Sequence, residues 1–503
     1  MCTQNMIKKT LLTIVLACTL HCVHAAEGGF DFDVLRGQAK ELSTKPYSPA
    51  PSLVTEEFRK LTYDQYRDIR FKPEESVWRR EKLPFQLQFF HLGFSFNDPV
   101  QFDLVQDGTP HQVDYEPTLF DYGKNHPLSH ASQRMGFAGM KILYPLNKQG
   151  DELGAFLGAS YFRFLCQHAF YGLSARALAI NTGEAVEEWP VFRELWIERP
   201  QGDAKFLIIY ALLDGPSVVG AYKFTIVPGV ETITQVHAVV YCRHNPNVLG
   251  IAPLTSMFWH GKNTNQRYND FRPEVHDSDG FSIHMGSGEW LWRPLMNPES
   301  TRTASFTDEN PHGFGLFQRE RQYQSYQDLE VYYQLRPNAW VEPLGAWGKG
   351  SVRLVELHAK DETSDNITVF WVPAVLPPPG EPIEVSYNVH WFLDGIHPPA
   401  GYVVSTRHGQ TATQESDLER FVVDFGGPYL DSREADDNIT PVVTVGLGAT
   451  LVNTTIQKNP FDGTWRVAFA LHSDHSGRPV EMRCFLKKPP HVLTETWSYL
   501  WQP

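Results

Sequence analysis

Apolar side chains at every second residue constrain this chain more than any other feature. Val385, Tyr387, Val389 and Trp391 alternate with Ser386, Asn388 and His390, and Trp465, Val467, Phe469 and Leu471 repeat the pattern. Phe85, Leu87 and Phe89 alternate with Gln86 and Gln88, and Leu92, Phe94 and Phe96 resume on the other register. Successive side chains of a strand point to opposite faces, so a period of two reads as a half-buried strand. Phe206 to Leu213 and Tyr222 to Val227 are more continuously apolar, and are closed by Asp214-Gly215-Pro216 and Pro228-Gly229. Many short strands punctuated by turn formers specify an all-β architecture. No repeat of fixed period points to a propeller or solenoid. One helix is expected near the start, over 31–42, with Asp31 or Asp33 as its cap and Val34, Leu35, Ala39 and Leu42 on one face.

At 503 residues the chain is long enough for two or more domains. The clearest boundary is the Pro-rich segment 373–382, from Pro373 through Pro377-Pro378-Pro379-Gly380 to Pro382. Consecutive prolines lack backbone donors and stay extended, which suits a stiff link between domains. The expected division is a large β-sandwich over 26–372, a linker over 373–382 and an immunoglobulin-like β-sandwich over 383–503. The larger unit has room for a long groove. Residues 1–25 read as a secretory signal peptide: Lys8 and Lys9, an apolar run from Leu11 to Val23, then Ala25 and Ala26. The run is too short to span a membrane, and no later stretch is long enough. Export to the periplasm follows, with one alternative. Val15-Leu16-Ala17-Cys18 loosely matches a lipoprotein box, in which Cys18 would carry a lipid anchor.

Charge and motifs exclude several functions. With 44 basic and 58 acidic side chains, net −14, the chain lacks the basic surplus of a general nucleic-acid binder. No Gly-rich phosphate loop predicts a nucleotide cofactor. Cys166, Cys242 and Cys484 are far apart and form neither a disulfide framework nor a zinc site, so no metal is expected. The aromatic content, 13%, is sheet core for the most part, yet Trp and Tyr also stack on sugar faces.

Two acidic clusters are candidates for chemistry. Glu274-Val-His276-Asp277-Ser-Asp279 is followed closely by Glu289-Trp290-Leu-Trp292-Arg293, and Asp361-Glu362-Thr-Ser-Asp365-Asn366 precedes the apolar run from Ile367 to Val372. Glycoside cleavage needs one carboxyl to protonate the leaving oxygen and a second carboxylate to activate the attacking group. On this reading Glu289, Trp290, Trp292 and Arg293 line the floor of the sugar site. The same residues also make polar turns stabilised by Asx hydrogen bonds, and the pattern alone leaves both readings open.

The chain resembles the periplasmic glucan biosynthesis family, OpgG/OpgD (also MdoG/MdoD), and is closer to the OpgG branch because it lacks a twin-arginine signal. The matching segments include Gly158-Ala-Ser-Tyr161-Phe-Arg163, Tyr171-Gly-Leu-Ser-Ala-Arg176, Leu254-Thr-Ser-Met-Phe258, His276-Asp-Ser278, Asn310-Pro-His-Gly-Phe-Gly315, Asp365-Asn366 and Glu495-Thr-Trp497. The resemblance implies a large amino-terminal β-sandwich with a glucan cleft and a smaller immunoglobulin-like β-sandwich. It implies a part in making osmoregulated periplasmic glucans, with β-1,2-glucan as the ligand and the inner-membrane glucan synthase as a candidate partner. The activity it implies is inverting endo-β-1,2-glucanase; transglycosylation and non-catalytic glucan binding during assembly are the alternatives. By position, Asp365 matches the general acid and Asp277 the general base, which in this family acts through substrate hydroxyls and a water chain. Glu362 and Tyr333 match supporting residues. The stretch from Arg407 to Asp417, where glucanase members carry a loop over the cleft, shows no clear match.

Overall fold

Alternation becomes strand throughout the computed structural model, which describes residues 29–503 apart from 126–127, 129–134, 266–267, 397 and 411–417. The expected signal peptide, Cys18 and most of the stretch after Arg407 therefore lie outside the described residues. The protein is mostly β, 47% strand against 9% helix. The expected helix forms at Phe32–Ser43, where the Asp31 side chain accepts a hydrogen bond from the Val34 backbone at 2.9 Å. Its Leu35 and Ala39 are buried against Trp196, Tyr210 and Tyr241 on the outer face of a long sheet.

That long sheet organises the molecule. It has fifteen strands among the described residues, and a ten-stranded sheet packs on one face of it to form the largest core. On the opposite face, near the other end from the helix, a four-stranded sheet closes a second core around Phe421, Trp465, Phe469 and Trp497. The strands in between serve both cores. In Gly313–Phe317, Phe314 and Leu316 enter the first core while Phe317 enters the second. The carboxy-terminal strands Thr440–Val445, Val480–Lys488 and Thr496–Trp501 extend the same sheet, joined to it where Thr496–Trp501 pairs in parallel with Trp290–Pro294.

This continuity corrects the expected boundary. The strand after the prolines, Pro382–Phe392, does not open a second domain. It lies between Thr232–Cys242 and Asn338–Pro343 in the long sheet, with Tyr387, Val389 and Trp391 in the first core. The segment 373–382 is a crossover from the ten-stranded sheet to the long one, with Leu376 packed on that core. Proline stiffness suits such a crossing as well as it suits a linker. Cys166, Cys242 and Cys484 are buried and unpaired.

Gln86 and Gln88, expected on a solvated face, are buried. The outer face of the ten-stranded sheet is covered at that end by the segment around 63–83, and Gln88 donates to Ser76 Oγ at 2.8 Å. Further along the same face the cover stops and a cleft begins.

Candidate active site

The cleft floor is set by strand register. Gln88 pairs with Lys141, Lys141 with Ala155, and Ala155 with Arg163, so these side chains form one row across the sheet. A groove of about 890 Å³ runs between this row and Tyr63, Arg67, Arg70 and Lys72. A second hollow of about 380 Å³ continues from it, sharing Phe96, Leu157 and Arg163, and ends at Tyr161, Ser174 and Asp365.

Asp365 sits at the mouth of strand Ile367–Pro373. Its carboxyl keeps an open surface on the cleft, but its wider surroundings are dense protein, and the proton affinity follows those surroundings. Loss of hydration, then repulsion from Asp277, push it up to about 6, against the pull of Arg163, Arg176 and Arg336. The repelling partner is Asp277. The sequence neighbour Asp361 is exposed and occupied by its own turn, accepting from the Thr363 backbone at 2.9 Å.

Asp277 is held deeper. Its backbone N–H donates to Met257 O at 2.8 Å, and Arg336 Nε lies 3.3 Å from its Oδ1. Burial pushes its carboxyl up as well, while Arg336, His276 and Arg163 pull it down. Arg336 has room to reach it because a Cβ at Gly172 would lie 3.0–3.3 Å from the arginine side chain. Glu362 accepts from Tyr333 Oη at 2.5 Å and from Arg272 at 2.7 Å, and Arg336 packs over the Tyr333 ring, 5.3 Å from its centroid. Burial, then the hydrogen bond to Glu362, raise the Tyr333 hydroxyl far above its usual range, so it stays a donor. The structure thus assembles Asp277, Asp365, Glu362 and Tyr333 around a frame of arginines. Arg163 and Arg176 end two of the matching segments named above, yet sequence reasoning gave them no role. Arg163 lies over Tyr171, 4.2 Å from its centroid, and buried Arg176 pairs with Glu187 at 2.8 Å.

The four residues expected on the sugar floor are elsewhere. Strand Trp290–Pro294 joins the two cores, and its side chains are spent on that join. Trp292 belongs to the second core, with the Arg319 guanidinium 3.5 Å from its ring centroid. Arg293 is buried, donating to Glu481 at 2.5 Å and to Ser498 at 2.7 Å. Glu289 accepts from Arg483 and from Thr496 Oγ1, and Trp290 stacks between His284 and Trp340. Periodicity reveals an indole but not which cavity it faces.

Comparison with known proteins decides the family. The family described as "Periplasmic glucan biosynthesis protein, MdoG" matches residues 30–501. The chain belongs to this family. A protein of Ralstonia nicotianae called "Glucans biosynthesis protein G" is 44% identical over 97% of this chain and 99% of its own length. Proteins of the same name from Pectobacterium carotovorum and Pseudomonas aeruginosa are each 42% identical, over 93% and 97% of this chain and 92% and 96% of their own lengths. This member of the MdoG family is therefore a periplasmic glucan biosynthesis protein. No helix among the described residues is long and apolar enough to cross a membrane.

Proposed function

We propose that the cleft acts on β-1,2-linked glucan in the periplasm, cleaving it within the chain with inversion at the anomeric carbon. The observation that carries this reading is the unequal setting of two neighbouring carboxyls, one lining the groove and one enclosed behind it. Asp365 opens onto the cleft and titrates at about 6, which lets it hold a proton for the glycosidic oxygen. Asp277 lies behind it with a side chain only 12% exposed, facing Arg336. A base so enclosed reaches the attacking water through a relay of hydroxyls, and the substrate's own sugars supply them. Tyr333 gives its single proton to Glu362, so towards a sugar hydroxyl its oxygen can act only as an acceptor. Grooves of about 890 and 380 Å³ meeting at Arg163 provide length for several residues of a chain.

Purified protein incubated with linear β-1,2-glucan tests this. Shorter chains whose new reducing ends first appear in the inverted configuration are expected. Redistributed chain lengths without new reducing ends would instead establish transglycosylation. Bound but unchanged glucan would sink the enzymatic reading in favour of an assembly role.

A further inference from the structure

One short segment touches both carboxylates' supports. Ser256 ends strand Leu249–Ser256 and Phe258 begins the next, Phe258–His260, so 256–258 is a rail between two elements. On one side lies 276–278. Ser256 Oγ and Ser278 Oγ are 2.8 Å apart, Met257 O accepts the Asp277 N–H, and the His276 ring stacks on Phe258 with centroids 5.3 Å apart at 13°. On the other side lies 366–368. Ser256 and Thr255 pair with Ile367 and Thr368, and the Asn366 amide grips Phe258 at both ends. Its Oδ1 accepts from Phe258 N at 2.9 Å and its Nδ2 donates to Phe258 O at 3.0 Å and Leu357 O at 3.1 Å.

The His276 side is equally saturated. Gln318 Nε2 donates to two carbonyls, His276 O and Tyr333 O, which turns its Oε1 towards His276 Nδ1 at 2.8 Å. The other ring nitrogen faces Glu274 at 3.1 Å. Both nitrogens therefore donate, and the wholly buried ring is an imidazolium that cannot rotate without stranding a charge.

We infer that the rail 256–258 sets the spacing of Asp277 and Asp365, with Asn366 as the positioning residue that ties Asp365 to it. This rests on the reading that the two carboxylates work as a pair. Asn366 touches neither substrate nor reacting atom; it acts through Phe258. Three bonds from one buried amide leave its neighbour Asp365 little freedom to drift relative to Asp277. A displacement of about 1 Å in such a constellation costs on the order of 10²-fold in rate.

The test compares Asn366→Ala with Asn297→Ala. Asn297 brackets Ala359 with the same bidentate chemistry, at 2.8 Å on both atoms, without touching the rail. With linear β-1,2-glucan, Asn366→Ala is expected to lower kcat by about 10–100-fold with KM within about threefold, and Asn297→Ala to leave both within about threefold. The second readout needs no turnover. Titration of ¹³C-labelled aspartates gives the change in Asp365 caused by Asp277→Asn, in a field shared with Arg163, Arg176, Arg336 and Tyr161. That change is expected to fall by half or more when Asn366 is Ala. Should Asn366→Ala not fold, Ser256→Ala/Ser278→Ala replaces it, removing both partners of one bond so that no polar atom is orphaned. Coupling and kcat that match wild type in whichever variant folds would overturn the proposal. If wild type leaves the glucan unchanged, the enzymatic reading fails and the titration alone decides the positioning.

Discussion

The cleft around Asp365 and the join around Trp290–Pro294 hold the same kinds of residue: acids, arginines and aromatic rings. They differ in whether the charges are spent. At the join, Arg319 meets the fully buried Glu495 through two contacts, 2.5 and 3.1 Å, and the same carboxylate accepts from Val403 N at 2.7 Å. Arg293 is likewise consumed by Glu481 and Ser498. In the cleft, Asp365 opens to a hollow, and its proton affinity is raised above that of an ordinary carboxyl. Saturated charges make architecture, and unsaturated ones at a cavity make chemistry.

Substitutions that separate these roles can break the comparison. The largest effect is expected at Asp365→Asn, which cannot donate a mobile proton and should lose ~10²–10⁴-fold in turnover of an unactivated glucan. Its circular dichroism and glucan binding should match wild type, and a variant turning over at the wild-type rate would remove Asp365 from the acid role. At the join the loss moves from rate to stability. Glu495→Gln leaves Arg319 buried without its charge partner and should cost about 3–5 kcal/mol in urea unfolding. Turnover per folded molecule should stay within about twofold, because nothing in the cleft is touched.

A pH series sharpens the distinction. The folded carboxyl of Asp365 binds its proton more tightly than the unfolded one, at about 6 against 3.8. Its favourable contribution is therefore complete below pH 3.8 and is lost as pH rises through about 6. Asp365→Asn removes that loss, so its melting temperature should exceed wild type at pH 8 and converge with it near pH 4. The kcat/KM of wild type should fall over the same rise through about 6, as the acid deprotonates. The smallest effect is expected at Trp290→Ala, where KM for glucan should change by no more than about twofold. A large rise in KM would return Trp290 to the sugar site.

The same contrast shows what the chain's pattern reveals and what it hides. Alternation at Val385–Trp391 and Trp465–Leu471 announces strands because burial of one face is local to each strand. The Asp31 cap is readable for the same reason. Which strand pairs with which is not local. The prolines of 373–382 looked like a boundary, and only the pairing of Pro382–Phe392 with Thr232–Cys242 reveals a crossover. The carboxylates Asp277 and Asp365 entered through resemblance to a family rather than through spacing. Their arginines, from Arg163 to Arg336, converge from strands and loops that no periodicity links. His276 and Asn366 look ordinary until their partners are known, since a histidine or an amide shows its protons only through what faces it.

The parallel pairing of Thr496–Trp501 with Trp290–Pro294 also imposes an order of events. Arg293 and its partner Ser498 are 205 residues apart, so one side of the join waits for most of the other core's chain to be placed. Contacts of such separation are closed late and slowly. Until they close, Trp290–Pro294 presents an unpaired, tryptophan-bearing edge of the kind that other strands adhere to.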